Sequence, residues 1–236
     1  MRFPFPTALR LGLISCALAC PANAVPAMAA DAPTADEQKS IDLVVRAGGK
    51  AAIDPKLPAE ARVSAKFEAA TDGTLAGLKK APHVGALDVF DATRCTEKGF
   101  AALKELPDLR KLTLGKSGMS LARVAAIGQC KELRSLYLAG AGLSDAELAG
   151  LKTLTLLEAL DISDNPQVTD KGMAAVKALE RLQTLHLGKT GLTDKGLLEL
   201  KGLDGLRSLN VVGTKVTGDA AEKFADEMPN LRTVRR

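Results

Sequence analysis

One arrangement of aliphatic and variable residues recurs along the chain: a leucine, two variable residues, an aliphatic residue, one variable residue and a second aliphatic residue. Its clearest copy begins at Leu182 and continues with Leu185 and Leu187, and the next copy begins at Leu206, 24 residues later. From Val84 onward the copies begin at positions 84, 109, 133, 157, 182, 206 and 231, so every spacing is 24 or 25 residues. A fixed period in the twenties predicts a solenoid in which each copy forms one coil.

Each coil is predicted to contain a strand followed by a short helix. Leu185 and Leu187 are two residues apart, which places their side chains on the same side of an extended strand. Thr193 then supplies a helix cap, and Asp194 lies at the positive end of the helix dipole. The predicted fold class is therefore α/β: a curved leucine-rich repeat solenoid with a parallel sheet on its concave face and short helices on its convex face.

Three segments are predicted along the chain. Residues 1–30 form a signal peptide, residues 31–60 form an N-terminal cap, and residues 61–236 form a solenoid of about seven coils with a terminal strand that begins at Leu231. The first coil of a solenoid needs a cap because it otherwise exposes an apolar end. In the cap, Ile41 and Val44 share one face of a predicted helix, which ends at Gly48.

The beginning of the chain has the pattern of a secretory signal. Arg2 and Arg10 give the chain a positive start, and residues 11–20 form a short apolar stretch. Small residues that fit a cleavage site follow at 22–24 and again at 27–29. We therefore expect export to the periplasm, the cell envelope or the medium. The alternative is a membrane-anchored lipoprotein, because Cys20 ends a sequence that resembles a lipidation signal.

Charge and composition exclude several classes of partner. The chain has 32 Lys and Arg against 28 Asp and Glu, and loss of Arg2 and Arg10 with the leader leaves 30 against 28. Such a balanced surface attracts neither nucleic acid nor anionic lipid strongly. Cys95 and Cys130 occupy apolar repeat positions, which predicts buried side chains rather than a disulfide or a zinc site. We expect no metal and no small-molecule cofactor.

The register of the copies identifies the side chains that face outward from the sheet. Phe90 and Tyr137 belong to the residue types that are enriched in binding hot spots. The residues predicted to bind a partner are Phe90, Tyr137, Asp161, His186, Asn210 and Asp88. The central outward column is predicted to contain Ser64, Asp88, Thr113, Tyr137, Asp161, His186, Asn210 and Arg235.

Three functions are compatible with this column. The leading hypothesis is a non-catalytic, monomeric module that binds a protein or a cell-envelope polymer. The second is a hydrolase that uses Tyr137, Asp161 and His186, although no nucleophile in a recognisable motif accompanies them. The third is a structural envelope protein whose outward side chains contact nothing specific.

Two coils carry one extra residue after the strand, near positions 92–95 and 163–167. An insertion there is expected to bulge at the rim of the sheet, where ligands often bind. Asp161, Asp164 and Asn165 supply oxygen atoms of the kind that bind calcium, but their spacing fits no known calcium loop. Turn formation is therefore the better interpretation of these residues.

The segment from Leu185 to Leu197 resembles the unit Leu-x-x-Leu-x-Leu-x-x-Thr-x-Leu-Thr-Asp-x-Gly-Leu of a bacterial leucine-rich repeat family. This type of repeat is abundant in exported proteins of planctomycete-like bacteria and is similar to the repeats of ribonuclease inhibitor. The resemblance extends over roughly residues 62–236 and implies a curved solenoid that binds without catalysis. Internalin repeats are shorter and have Asn where this chain has Ser117, Thr190 and Thr214, which argues against a host-invasion role.

Overall fold

A computed structural model describes residues 32–236, and within this range nine strands form one sheet. The strands lie across the sheet in chain order. The first pair is antiparallel and every later pair is parallel. Coil 1 begins with β2, and coil 7 begins with β8. The strands are β1 Lys50–Ile53, β2 Val63–Ala69, β3 Val84–Asp91, β4 Lys111–Leu114, β5 Ser135–Tyr137, β6 Ala159–Asp161, β7 Thr184–His186, β8 Ser208–Asn210 and β9 Thr233–Arg235.

Each of the seven coils continues from its strand into a short helix, and the helices of successive coils contact one another. The predicted α/β solenoid is therefore confirmed. The helices are α1 Ala35–Arg46, α2 Asp72–Gly77, α3 Glu97–Ala101, α4 Leu121–Ile127, α5 Asp145–Leu148, α6 Met173–Lys177, α7 Asp194–Glu199 and α8 Gly218–Glu227. Short 3-10 turns lie at Ala59–Ala61, Leu78–Lys80, Leu103–Glu105, Ala149–Thr153 and Asp170–Gly172.

Apolar side chains between the sheet and the helices form one continuous core. Leu112, Leu136 and Leu160 are paired in register on β4, β5 and β6, and each is at most 1% exposed. Leu185 and Leu209 continue the same column. Burial of one leucine side chain contributes roughly 1.5–3 kcal/mol, and in a solenoid the neighbouring coils supply much of the cover. A single coil therefore has no stable fold of its own.

Hydrogen bonds between an aspartate of one coil and a threonine of the next coil join the starts of their helices. Asp170 accepts a hydrogen bond from the backbone N–H of Thr193 at 2.8 Å and another from its hydroxyl at 2.6 Å. This aspartate thus joins two coils, in addition to the helix-dipole role that the sequence indicates. The same pair of bonds links Asp72 to Thr96, Asp145 to Thr169 and Asp194 to Thr217.

These bonds explain the glycine in the Thr-Asp-x-Gly motif. A Cβ added to Gly196 would lie 2.2 Å from Oδ1 of Asp170. At Gly99, the added Cβ would lie 2.5 Å from Oδ1 of Asp72. At these positions glycine leaves room for the aspartate of the preceding coil to reach its threonine, although coil 7 keeps the bond with Ala220 at the same position.

The bonds are missing at the two junctions between coils 2 and 4. The aspartate position holds Glu97 in coil 2 and Leu121 in coil 3. In coil 3 the glycine position holds Arg123, whose guanidinium donates to the backbone carbonyls of Cys95, Ser117 and Gly118. In coil 4 the glycine position holds Glu147, whose carboxylate accepts a hydrogen bond from the backbone N–H of Ser144 in the same coil. The helix starts of these two coils are capped from within the coil, by the Ser120 side chain in coil 3 and by Ser144 with Glu147 in coil 4.

At the N-terminal end, α1 packs on coil 1 and β1 pairs with β2. The carboxylate of Glu37 is only 2% exposed and accepts hydrogen bonds from the Arg62 guanidinium at 2.9 and 3.0 Å. The Arg62 bond, followed by the bond from the backbone of Thr34, lowers the pKa of Glu37 from 4.5 to about 2. The hydroxyl of Ser40 also donates to the carbonyl of Pro82. A buried ion pair thus attaches α1 to the first coil.

The register of coil 1 differs from the predicted one. Val63 pairs with Val84, but the pairing shifts at the next residue, so that Lys66 lies opposite Asp88. The prediction that Ser64 belongs to the central column is therefore wrong, and Lys66 takes its place. The cause is the length of the first repeat, in which 21 residues separate Val63 from Val84 instead of 24 or 25.

Within residues 163–167, Asn165 occupies the repeat position of Ser117 and Thr190 and is fully buried, whereas Asp164, Pro166 and Gln167 are exposed. Its carbonyl oxygen accepts hydrogen bonds from the backbone of Gly142 and Leu143, both at 2.9 Å. Its amide donates to the carbonyls of Leu138 and Ile162 at 2.9 Å. Asn165 therefore connects coils 4 and 5 through backbone groups and is not a rim ligand.

We expect Asp170→Ala to lower the free energy of unfolding by about 1–3 kcal/mol, because both donors of Thr193 lose their acceptor. Denaturant unfolding measures this change. The matched control is Glu97→Ala, which removes an acidic residue from the same helix position without a bond to the next coil. It should change stability by less than about 0.5 kcal/mol. If both variants lost the same free energy of unfolding, the loss would come from the helix dipole and not from the hydrogen bonds between Thr193 and Asp170.

We expect Glu37→Gln to lower the melting temperature by several degrees at pH 7, because it removes the charge that Arg62 binds. The folded pKa of Glu37 lies below its ordinary value, so its contribution is present above about pH 4.5 and is lost as the pH falls toward 2. The difference between variant and wild type should therefore shrink over this range.

Thermal melts from pH 7 to pH 2.5 measure this difference. Asp36→Asn is the control, because the ion pair of Asp36 with Lys39 is exposed and screened by solvent. A pH-independent difference for Glu37→Gln would contradict the assigned role of the carboxylate.

Candidate functional site

The paired strands place the predicted outward residues in one line on the outward face of the sheet, here called the concave face. Asp88 lies opposite Thr113, and Thr113 lies opposite Tyr137. Tyr137 lies opposite Asp161, which lies opposite His186. The column continues to Asn210 and Arg235, and Lys66 precedes it on β2.

A hollow of about 340 Å³, here called the central hollow, opens on the concave face at coils 2 to 5. Phe90 lies at its edge with 57% of its surface exposed. Gly115 and Ala139 on the neighbouring coils leave space for the hollow, because Gly115 has no side chain and Ala139 has only a methyl group. The lining residues are Asp88, Val89, Phe90, Lys111, Thr113, Leu114, Gly115, Tyr137, Ala139 and Asp161.

A network of polar groups fixes one side of the central hollow. Asp88 is only 8% exposed and accepts a hydrogen bond from the hydroxyl of Thr113 at 2.6 Å. The ammonium groups of Lys66 and Lys111 each lie 3.8 Å from its carboxylate. The Lys111 ammonium also lies 5.7 Å from the centroid of the Tyr137 ring, within the range of a cation–π contact. These contacts hold the Tyr137 side of the hollow in place.

Asp161 and His186 approach each other but do not form a catalytic relay. Their closest atoms, Oδ2 of Asp161 and Nδ1 of His186, are 3.6 Å apart, beyond hydrogen-bond distance. The other carboxylate oxygen of Asp161 accepts the backbone N–H of Ser163 at 2.9 Å. Within residues 32–236, no hydroxyl or thiol group is hydrogen-bonded to His186. The three residues of the hydrolase hypothesis are aligned without the geometry of a nucleophile and its base.

The structure divides the predicted site residues into two groups. Phe90, Asp88, Tyr137 and Asp161 line the central hollow. His186 on β7 and Asn210 on β8 lie outside the hollow. The side-chain amide oxygen of Asn210 accepts a hydrogen bond from the backbone N–H of Val212. Cys20, the predicted lipidation site, lies outside the described residues.

Sequence reasoning missed Lys66 and Lys111, which surround Asp88. Lys66 was missed because the first repeat is shorter than the others, so the spacing of the later copies does not give the register of β2. Lys111 directly precedes Leu112, and its outward position follows from strand alternation. A signal for Lys111 was therefore present, but the predicted outward residues included only those between and after the two aliphatic positions.

A second hollow, here called the rim hollow, lies where the strands begin. Its volume is about 600 Å³, and it shares Lys111 and Tyr137 with the central hollow. Arg134 binds Glu158 across it at 3.0 Å, and Arg110 binds Glu60 at 2.8 Å. The lining residues are Asp54, Lys56, Leu57, Pro58, Arg110, Lys111, Arg134, Ser135, Tyr137 and Glu158.

Residues 32–236 contain no group of three His, Cys, Asp or Glu side chains that could hold a metal ion. Asp164, which the calcium hypothesis invoked, binds the Lys189 ammonium at 2.9 Å. In the same range no helix has both the length and the apolar character needed to span a bilayer. Burial raises the pKa of the Cys95 and Cys130 thiols to about 11, so neither is a reactive thiolate.

The coil repeat has a counterpart among known families. A family model described as a leucine-rich repeat matches residues 153–177 and 181–201, the coils that contain β6 and β7. These two coils match the leucine-rich repeat family, and the chain has the fold of a leucine-rich repeat solenoid. No curated protein matches its sequence.

Solved leucine-rich repeat structures share the fold. Internalin C2 of Listeria monocytogenes is 21% identical with a TM-score of 0.50, over 74% of this chain and 73% of that one. A leucine-rich repeat protein of Leptospira interrogans is 15% identical with a TM-score of 0.43, over 71% of this chain and 52% of that one. The likeness to internalin C2 supports the leucine-rich repeat fold alone. Asn165 occupies the repeat position of Ser117 and Thr190, so one coil here has the asparagine that internalin repeats carry.

Proposed function

We propose that this leucine-rich repeat protein is an exported, non-catalytic module that binds another protein through the central hollow of its concave face. The observation that supports this most is the exposed aromatic side chain of Phe90 beside the hollow that Tyr137 lines. Solenoids of this kind commonly use their extended concave surface for binding.

The exposure of Phe90 favours a partner. A phenylalanine with 57% of its surface in water leaves apolar area uncovered on the concave face, more than Val212, which is 44% exposed at the same repeat position of coil 7. Aromatic residues at the centre of an interface contribute most of its binding energy when a partner covers them. Burial of Phe90 under a partner would therefore give a large gain from one residue.

The polar side of the hollow favours binding of a specific partner over nonspecific apolar binding. Asp88 and Lys111 are held by contacts within the protein before any ligand arrives. Side chains that are already ordered lose little conformational entropy on binding. The site is thus arranged for recognition.

The hydrolase alternative receives no support from the geometry. Its general base would be His186, and its nucleophile would need to lie within hydrogen-bond reach of that ring. Asp161 lies 3.6 Å from His186, and Tyr137 lies on the far side of Asp161. We therefore assign these residues to the binding surface and not to catalysis.

Export to the cell envelope or beyond is part of the proposal, and it rests on the sequence of residues 1–30. Arg2, Arg10 and the apolar residues that follow support a cleaved leader. Mass spectrometry of the mature N-terminus tests this directly, since a lipidated Cys20 and a cleavage after the small residues give different masses. An intact Met1 in the exported fraction would contradict cleavage.

We expect the double variant Phe90→Ala/Tyr137→Ala to bind its partner about 30-fold more weakly, because loss of two central aromatic residues costs at least about 2 kcal/mol. A pull-down from envelope extract, followed by titration of the captured partner, measures this change. Phe90 is exposed and Tyr137 is half-exposed, so the variant should keep the wild-type melting temperature.

The matched control is Leu121→Ala/Leu198→Ala, which removes two exposed apolar side chains from the helices. It should capture the partner as wild type does. Equal capture by both double variants would place the site elsewhere. A polysaccharide as the captured partner would contradict the proposal of a protein ligand, and no capture at all would favour a structural envelope role.

A further inference from the structure

Asp88 faces the central hollow but offers a partner almost no surface. The residue is only 8% exposed, and three side chains surround its carboxylate. The Lys66 ammonium lies 3.8 Å from Oδ2, and the Lys111 ammonium lies 3.8 Å from Oδ1. The hydroxyl of Thr113 donates to the same Oδ1 at 2.6 Å. A carboxylate enclosed in this way acts on other side chains of the protein, so any contribution of Asp88 to binding is indirect.

The pairing of the strands shows how Asp88 is connected to Tyr137. Lys111 and Thr113 are two residues apart on β4, so both side chains point to the concave face. Thr113 lies directly opposite Asp88 on β3 and directly opposite Tyr137 on β5. Lys111 is thus the diagonal neighbour of both residues, at a separation that a long side chain spans. Its ammonium approaches both, at 3.8 Å from the carboxylate and 5.7 Å from the centroid of the ring.

The contact with the ring does not hold Lys111 by itself. The Lys111 side chain is 40% exposed, and a cation–π contact at an exposed site contributes less than the rotamer entropy that a lysine loses when it is fixed. Within residues 32–236, the Lys111 ammonium donates no hydrogen bond, and Asp88 has the only carboxylate within 4 Å of it. Attraction to Asp88 therefore keeps Lys111 over the ring of Tyr137.

The shorter first repeat places a second cation beside Asp88. Because the register shifts after Val63, Lys66 and not Ser64 lies opposite Asp88. Lys66 approaches Oδ2 and Lys111 approaches Oδ1, so the two ammonium groups use different oxygens of one carboxylate. Lys66 therefore does not compete with Lys111 for the same oxygen.

We infer that Asp88 is a positioning residue of the central hollow: it holds the Lys111 ammonium over the Tyr137 ring and so fixes the Tyr137 wall before a partner binds. Asp88 thus acts through its two neighbours and not by contact with the partner. Its importance for binding rests on the proposed function, whereas the positioning itself is a property of the free protein.

NMR spectroscopy of the free protein tests the positioning without a partner. Methylene protons above an aromatic ring are shifted upfield by the ring current. Tyr137 is the only tyrosine of the chain, so Tyr137→Leu identifies the lysine Hε resonance that this ring shifts. We expect that resonance to belong to Lys111, as its disappearance in Lys111→Arg would show.

Asp88→Asn removes the charge and keeps an oxygen that can accept from Thr113. We expect this variant to lose the upfield shift, because Lys111 then returns to solvent, and we expect Asp88→Glu to retain part of it. Asp164→Asn is the matched control, since it removes the carboxylate of an exposed ion pair with Lys189 and should leave the Lys111 resonance unchanged. If Asp88→Asn does not fold, ~1 M salt gives the same test in the unaltered chain. It shortens the screening length to about 3 Å and should reduce the shift.

The outcomes separate this inference from the proposed function. An upfield shift that persists in Asp88→Asn, or that is absent from the wild type, overturns the positioning role. In the pull-down, Asp88→Asn should weaken capture of the partner about 3- to 10-fold, because Lys111 and Tyr137 then become ordered only on binding. Unchanged capture despite a lost shift overturns the importance of Asp88 for binding. A pull-down that ignores Phe90 and Tyr137 overturns the proposed function, while the NMR result still decides the positioning.

Discussion

Burial of the repeat leucines depends on the neighbouring coils, and this constraint determines most of the structure. Leu136 is buried because Leu112 and Leu160 lie beside it in register. A change in the pairing of one coil would disturb the burial of its leucines and of those on both sides. The outward residues inherit the same register, so a core requirement decides which side chains meet on the concave face.

The coils that carry most of the central hollow differ from the others in how they are joined. From coil 4 to coil 7, an aspartate such as Asp170 binds the threonine of the next coil at every step. Phe90, Lys111 and Tyr137 lie on coils 2 to 4, where that bond is absent and Arg123 bridges coils 2 and 3 instead. The coils that carry Phe90, Lys111 and Tyr137 therefore also differ from the other coils in the contacts that join them.

The sequence predicts the coils, their register from Val84 onward and the column from Asp88 to Asn210, because leucines at fixed spacing have only one way to share a core. It fails for Ser64, since the first repeat is shorter and the shift depends on pairing between strands. Asn165 shares its repeat position with the buried Ser117 and Thr190, but its hydrogen bonds to backbone groups of the preceding coil depend on how coils 4 and 5 stack. The central hollow itself arises where small residues such as Gly115 lie beside large ones on adjacent coils. That is a property of the stack and not of any single repeat.

A crystal structure of the full chain with its bound partner tests the central claim most directly. The account predicts that the partner covers the rings of Phe90 and Tyr137 and contacts Gly115 and Ala139 in the central hollow. A partner seated on the helices, or at the far end of the sheet near Asn210, would contradict it.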